Sequence, residues 1–219
     1  MTRPYTLRKR AEQQADTRRR IVEAAVELHS SVGPAQTTFS MVAERASVQR
    51  HTLYAHFPNE RSLFAASSSL AAERHPVPDA SPWRALEDRR ERLTTGIRAI
   101  YDWYERQAPL LARVLRDAEH HALTRDIART QFARPFAEWK EALGAGLDHQ
   151  QRAMLGLALR FFSWRYMSRD AGLSQDAAVD MMVLAIDGVG QGEQSRRAGA
   201  EPEPEEARQA SVASSSALP

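Results

Sequence analysis

Apolar residues recur along most of the chain at spacings of three and four, the period of a helix that buries one face. Ile21, Ala24, Ala25, Leu28 and Val32 make the first such stripe, with Asp16 or Thr17 placed to cap it and Gly33-Pro34 placed to stop it. Thr38 and Ser40 are N-cap candidates for a short second helix that turns Met41, Val42 and Ala46 inward. A brief turn leads to a third short helix running through Phe57. Pro58-Asn59 then breaks the chain, and Asn59 caps a fourth helix carrying Leu63, Phe64 and Leu70. The stretch "RHPVPDASP" reads as a connector. Beyond it, Ser81-Pro82 opens a long helix to about Gln107, with Leu86, Leu93, Ile97, Ile100, Tyr101 and Tyr104 on one stripe. Pro109 opens a shorter helix with Leu110, Leu111, Val114 and Leu115. Residues 122–147 are helical, interrupted at Pro135 and ending at Gly144 and Gly146. Residues 148–168 form another helix, Gly172 ends it, and Ser174 caps a last one through Ile186. Neither sustained alternation nor an Asn-Gly or Asp-Gly turn signals a strand. The expected fold is all-α, with about nine helices.

From Gly188 onward the chain is rich in Gly, Pro, Ser and Glu, a composition that cannot bury apolar surface and predicts a disordered tail. The 219 residues suffice for one large domain or two small ones with a real core. There is no cysteine, which excludes disulfides, thiolate metal sites and thiol catalysis. No apolar run approaches the ~20 residues that cross a bilayer, and the polar first twenty residues lack a secretory h-region; the cytoplasm is the expected location. Charge is uneven. Residues 1–75 hold eleven Lys+Arg against seven Asp+Glu, a net of +4, whereas residues 76–190 hold sixteen of each. The first twenty residues alone are +5. A basic arm on a mildly basic domain suits a polyanion, nucleic acid first, and is equally the composition of a solvated terminus.

Residues 38–57 give charge a specific setting. Two short helices separated by a turn near Ala46-Ser47-Val48 make a helix-turn-helix, whose second helix enters the DNA major groove. Val48, Leu53 and Phe57 pack against Ile21, Ala25, Met41 and Val42, leaving Gln49, Arg50, His51, Thr52, Tyr54 and His56 facing outward with hydrogen-bonding groups. Arg50 is the first choice for base readout, because its fork matches guanine O6 and N7. Gln49 and His51 are placed to meet base edges, and Thr52 a thymine methyl or a phosphate. His51 and His56 are not a metal pair: residues five apart on a helix lie about 140° from each other.

The run "TTFSMVAERASVQRHTLYAHFPNERSLFAA" resembles the DNA-binding domain of the TetR family of transcriptional regulators. Val42-Ala43, Ala46, Val48, Thr52-Leu53-Tyr54, His56-Phe57 and Leu63 match the family pattern over roughly residues 17–66. By that resemblance Thr38, Tyr54 and His56 hold phosphates, and Ser40 lies at the groove edge. Three positions depart from the pattern. Ser47 stands where the turn usually has Gly, His51 replaces a small residue, and Glu60 replaces a phosphate-binding Lys. A more diffuse likeness covers "SWRYMSRDAGLSQDAAVDMMVLAIDG", which is similar to the last two helices of many members.

The resemblance implies residues 1–15 as a basic flexible arm, 16–60 as the helix-turn-helix domain and 61–75 as a connecting helix. Residues 76–190 become an effector-binding and dimerisation domain, with residues 191–219 the tail. It also implies a ligand pocket among the middle helices, for which Tyr104, Phe132, Phe136, Trp139 and Phe162 are the aromatic candidates. With no single buried charge standing out, the expected effector is small and largely apolar. The last two helices are apolar on broad faces: Leu155, Leu159, Phe162 and Tyr166 on one; Ala178, Met181, Met182, Leu184 and Ala185 on the other. Such faces require cover on more than one side, which the resemblance assigns to the same helices of a second subunit. A two-fold homodimer then predicts a palindromic operator in double-stranded DNA. The expected activity is therefore transcriptional regulation, most simply repression, with no enzymatic role, cofactor or metal. The competing reading is a helical enzyme or metal-binding protein using Glu119, His120, His121 and His149 of the C-terminal domain, although adjacent His120 and His121 point about 100° apart.

Overall fold

The computed structural model describes the backbone of residues 3–198 and the side chains of residues 8–189. Among these residues are ten α-helices and no strand. They are α1 (Arg3–Ser31), α2 (Phe39–Arg45), α3 (Arg50–His56), α4 (Glu60–Arg74), α5 (Ser81–Arg84), α6 (Arg89–Ala118), α7 (Ala122–Leu143), α8 (His149–Ala158), α9 (Phe161–Arg165) and α10 (Gln175–Ala198). No helix of the described residues is long and apolar enough to cross a membrane.

Two cores organise the helices. In the first, Ile21, Ala24, Ala25 and Leu28 of α1 meet Val42, Ala43 and Ala46, Leu53 and Phe57, and Leu63 at the head of α4. Met41 and Val48 are partly buried against it. Caps set the borders: the Thr38 hydroxyl accepts from the Met41 N–H at 3.3 Å, and the Asn59 carboxamide accepts from the Ser62 N–H at 2.9 Å. The second core joins α5 to α10 around Leu93, Ile97, Ile100, Tyr101 and Tyr104 of α6, with Trp139 and Leu143 from α7, Leu155 from α8, Trp164 from α9, and Val179 and Val183 from α10. Indole N–H groups pin the connector to this core: Trp103 donates to the His75 carbonyl at 3.0 Å and Trp139 to the Pro78 carbonyl at 2.8 Å.

Several boundaries differ from the sequence expectation, each for a local reason. Helix α1 begins at Arg3, so residues 3–15 extend the first helix and do not form a separate flexible arm. Arg8–Glu12 and Arg20–Asp16 pairs at i,i+4 support this N-terminal stretch of α1, which precedes the apolar stripe opening at Ile21. Ser81-Pro82 opens only the four-residue α5; the long helix starts after Asp88, whose carboxylate accepts from the Glu91 N–H at 2.6 Å. Pro109 and Pro135 both lie inside helices and do not divide them. A proline removes one rung of the ladder, and here Tyr104 and Leu111 on either side of Pro109, and the partly buried Phe132 and buried Trp139 on either side of Pro135, hold each helix to the second core.

The single helix expected over 148–168 is instead α8, a break at Leu159-Arg160, α9, and one π-helical turn at Tyr166–Asp170. Tyrosines of α6 satisfy carbonyls at this break. Tyr101 donates to the Ala158 carbonyl at 3.0 Å, and Tyr104 to the Leu159 carbonyl at 2.7 Å. Both hydroxyls are held protonated far above the ordinary tyrosine range by burial. Gly172, at φ +69°, ends the turn, and the Ser174 hydroxyl caps α10 through the Ala177 N–H at 3.2 Å. Helix α10 continues to Ala198, past the expected end at Ile186 and into the segment read as tail; residues 199–219 lie outside the described residues. Tyr104→Phe leaves a buried carbonyl without its donor and is expected to cost about 1–3 kcal/mol of stability, measured by urea unfolding. An unchanged midpoint would show that the break does not need the hydroxyl.

Candidate nucleic-acid interface and effector cavity

The helix-turn-helix is built from the turn outward. Ser47 adopts φ +53°, the left-handed conformation that favours glycine. The turn is held despite that cost. Ser47 N–H donates to the Glu44 carbonyl at 3.0 Å and Val48 N–H to the Ala43 carbonyl at 2.9 Å. From α1, the Arg20 guanidinium donates to the Ala46 carbonyl at 2.9 Å. Gln49 is the N-cap of α3 but makes no side-chain cap bond, so its amide remains available outward.

Along α3, Leu53 is buried, and Phe57 just beyond its end is too, while Arg50, His51 and Tyr54 are exposed and Thr52 and His56 half-buried. Thr38 and Ser40 at the start of α2 are exposed. Together with Arg50, Tyr54 and Arg61 they rim one shallow open recess. Tyr54 leans on Phe39, ring centroids 5.0 Å apart. Among the described residues Arg50 pairs with no carboxylate, whereas Arg45 is engaged by Glu27 at 3.0 Å and Arg61 by Asp126 at 3.2 Å. One positioning residue escaped the sequence reading, which counted it only as charge. Arg18 lies over the Phe57 ring, 4.2 Å from its centroid, and donates to the His56 carbonyl at 3.2 Å, fixing the C-terminal end of α3 against α1.

Between the two cores, α1, α4, α6, α7 and the connector enclose an apolar cavity of about 110 Å³. Val26 and His29 of α1, Phe64, Ser67 and Ala71 of α4, Gln107, Leu111 and Val114 of α6, and Ile127 and Phe132 of α7 form its walls. Of the five aromatics expected at a ligand, Phe132 lines it. Phe136 packs on Trp139 at 4.8 Å, and Tyr104 and Trp139 are buried in the second core with their polar atoms already bonded. Phe162 stands on the outer surface, 47 % exposed. The expectation looked for the pocket in the middle helices alone, whereas one wall belongs to the helix-turn-helix domain. A signal for that wall was present: Val22, Val26 and His29 form a second stripe on α1 at helical spacing.

Residues 21–67 match the family model described as bacterial regulatory proteins, tetR family. Over those residues the chain is similar to the helix-turn-helix domain of that family. Its whole fold is similar to that of solved TetR-type structures. A tetR-family transcriptional regulator from Streptomyces coelicolor aligns with a TM-score of 0.54 and 18% identity, over 93% of this chain and 99% of that one. The fatty acid degradation regulator FadR from Bacillus halodurans aligns with a TM-score of 0.56 and 16% identity, over 78% and 94%. A transcriptional regulator FadR from Bacillus subtilis, solved in complex with stearoyl-CoA, aligns at 0.53 and 18%, over 76% and 96%. At these identities the likeness is one of fold. No curated protein sequence matches the chain significantly.

In this TetR-type fold the helix-turn-helix meets the C-terminal domain at a polar joint as well as at the cavity. Asp117 of α6 accepts from the Ala35 N–H at 2.9 Å, and Arg116 donates to the Val32 carbonyl at 3.0 Å. His29 lies beside this joint, 5 % exposed, with Nδ1 3.3 Å from the Ser67 hydroxyl and its ring edge-on to Phe64. Burial lowers its pKa to about 4, against a smaller opposing pull from Asp117. Folding therefore expels a proton from this group. As pH falls from the unfolded value of 6.5 toward 4 the unfolded chain gains a proton that the folded one refuses, and stability drops by about 3 kcal/mol in all. His29→Gln should flatten that slope when unfolding free energies are compared at pH 7 and pH 5. Parallel slopes for the two proteins would count against a neutral buried His29.

Proposed function

We propose that the protein is a dimeric TetR-type DNA-binding transcriptional regulator, a repressor released from its operator by a small, largely apolar effector. The observation that carries the reading is that α1 serves both sites. One face, Ile21 to Leu28, supports the recognition helix α3, while Val26 and His29 wall the cavity. Occupying the cavity changes the setting of the helix on which α3 is mounted. Such a ligand acts through its differential affinity for the DNA-competent and DNA-incompetent arrangements. Thr38, Ser40, Gln49, Arg50, His51, Thr52, Tyr54 and His56 make up the proposed DNA surface, with Arg50 at the first turn of α3 where base edges are read.

Dimerisation is supported by apolar side chains left open on the last helices. Leu157 is 51 % exposed, Tyr166 64 % and Leu184 56 %, with Phe162 and Met181 also open. Buried neighbours Leu155, Leu159 and Ala178 belong to the core, so the free face is narrower than the sequence alone indicates. Large apolar side chains left exposed on packed neighbouring helices suit an interaction site, and a two-fold axis through it sets two recognition helices roughly 34 Å apart or somewhat more.

Selection of bound sequences from random DNA should return a palindrome whose half-site spacing reports that separation; failure to enrich one would defeat the reading. On that operator, Arg50→Ala is expected to cost about 1–3 kcal/mol and relax preference at one position per half-site, and Tyr54→Phe to weaken all sequences alike. Equal loss on operator and random DNA for Arg50→Ala would remove its readout role. Tyr166→Glu with Leu184→Glu places like charges on the proposed dimer face, and sedimentation velocity should then report a folded monomer. A persisting dimer would place the interface elsewhere.

A further inference from the structure

We propose that the cavity takes an anionic amphiphile, a compact apolar body of about benzene size with one acidic head held at the mouth by Arg106 and Gln107. This rests on the reading of the protein as an effector-responsive regulator and names the class of effector. Three observations carry it. The first is size. An engineered apolar cavity of about 150 Å³ accepts benzene, so a space of about 110 Å³ holds a group of that order or smaller. A long acyl chain such as the stearoyl group bound to the Bacillus subtilis neighbour exceeds it.

The second observation is Gln107. It faces both the interior and the mouth, is only 7 % exposed, and makes no side-chain hydrogen bond among the described residues. The amide is not among the polar atoms cut off from solvent without a partner; a purely apolar ligand would seal it away from water and leave it in that state, which buried polar groups avoid. A carboxylate supplies the missing acceptor for its N–H groups.

The third is charge. Arg74, His75 and Arg106 line, with Gln107, the adjoining recess that shares Val26, Ala71 and Leu110 with the cavity and that we take as its mouth, and no Asp or Glu lines it. Glu23 already offsets Arg74, at 2.9 Å. Arg106 is exposed and pairs with no carboxylate among the described residues, although thirteen Arg–carboxylate pairs form elsewhere among them. A cation beside an unpartnered amide selects an anion through charge-assisted hydrogen bonds, roughly twice as strong as neutral ones.

The test uses the full chain, benzoate and its neutral isostere benzamide, with affinities from isothermal titration calorimetry. Benzoate should bind at least about tenfold tighter at low salt, with the advantage shrinking as salt is raised. Arg106→Met should erase the preference while sparing benzamide, and Gln107→Leu should weaken benzoate. Benzamide binding as tightly as benzoate, or a preference that survives Arg106→Met, overturns the anionic class and leaves an apolar effector standing. Binding of neither overturns the cavity as a ligand site. Benzoate binding of the expected kind without release of the selected operator supports the ligand class and overturns the regulatory reading instead.

Discussion

The arrangement of the two halves depends on a buried carboxylate. Asp117, near the end of α6, is 6 % exposed and accepts from Arg116 Nε at 2.8 Å and from the Ala35 N–H at 2.9 Å. A buried charge without such partners would be expelled or neutralised, so the segment after α1 is tied to α6 wherever Asp117 goes. Gly33 is what lets the two approach. Its φ of +106° suits glycine, and a Cβ there would lie 2.5 Å from both Asp117 Oδ2 and Arg116. A residue that reads in sequence as a helix stop is thus also the clearance for an ion pair from another domain.

With the joint fixed, the cavity lies where the two halves face each other. Its walls come from both halves, so a guest adds contacts that depend on how far α1 and α4 stand from α6 and α7. Packed interiors respond to small volume changes by shifting between discrete arrangements. The Arg61–Asp126 pair between α4 and α7, at 3.2 Å, spans the same gap but is solvent-exposed and worth little by itself. The recognition helix has few contacts of its own: Leu53 and Phe57 in the core, Arg18 at one end and the Ser47 turn at the other. It is mounted on α1.

What was legible in the sequence was whatever short-range chemistry decides. The Leu53 and Phe57 core positions, the Asn59 and Ser174 caps and the Gly172 stop each follow from a residue and its near neighbours. What was not legible depended on distant partners. Pro109 and Pro135 look like breaks until the packing of the turns beside them is known. The break at Leu159-Arg160 has no glycine or proline to announce it, and tyrosines fifty-five and fifty-seven positions away in α6 satisfy its carbonyls. The cavity escaped for the same reason. Aromatic residues suggest where bulk is, and the best-buried of the five candidates, Tyr104 and Trp139, have filled the space they occupy. A cavity lies where side chains fail to meet, here between an alanine-rich α4 and two polar residues, His29 and Gln107.

Pro109 acquires a purpose in this light. It cannot donate to the Glu105 carbonyl, so α6 lacks one rung at that point. On its N-terminal side, Ile97, Ile100, Tyr101 and Tyr104 bind α6 into the second core; on its C-terminal side, Arg116 and Asp117 hold the helix-turn-helix. The mouth residues Arg106 and Gln107 sit immediately before the missing rung, and the cavity residues Leu110 and Leu111 immediately after it. A helix yields most easily where its ladder is interrupted. The interruption therefore sits between the stretch of α6 packed most fully into the second core and the stretch that carries the joint, at the level where a ligand would touch both.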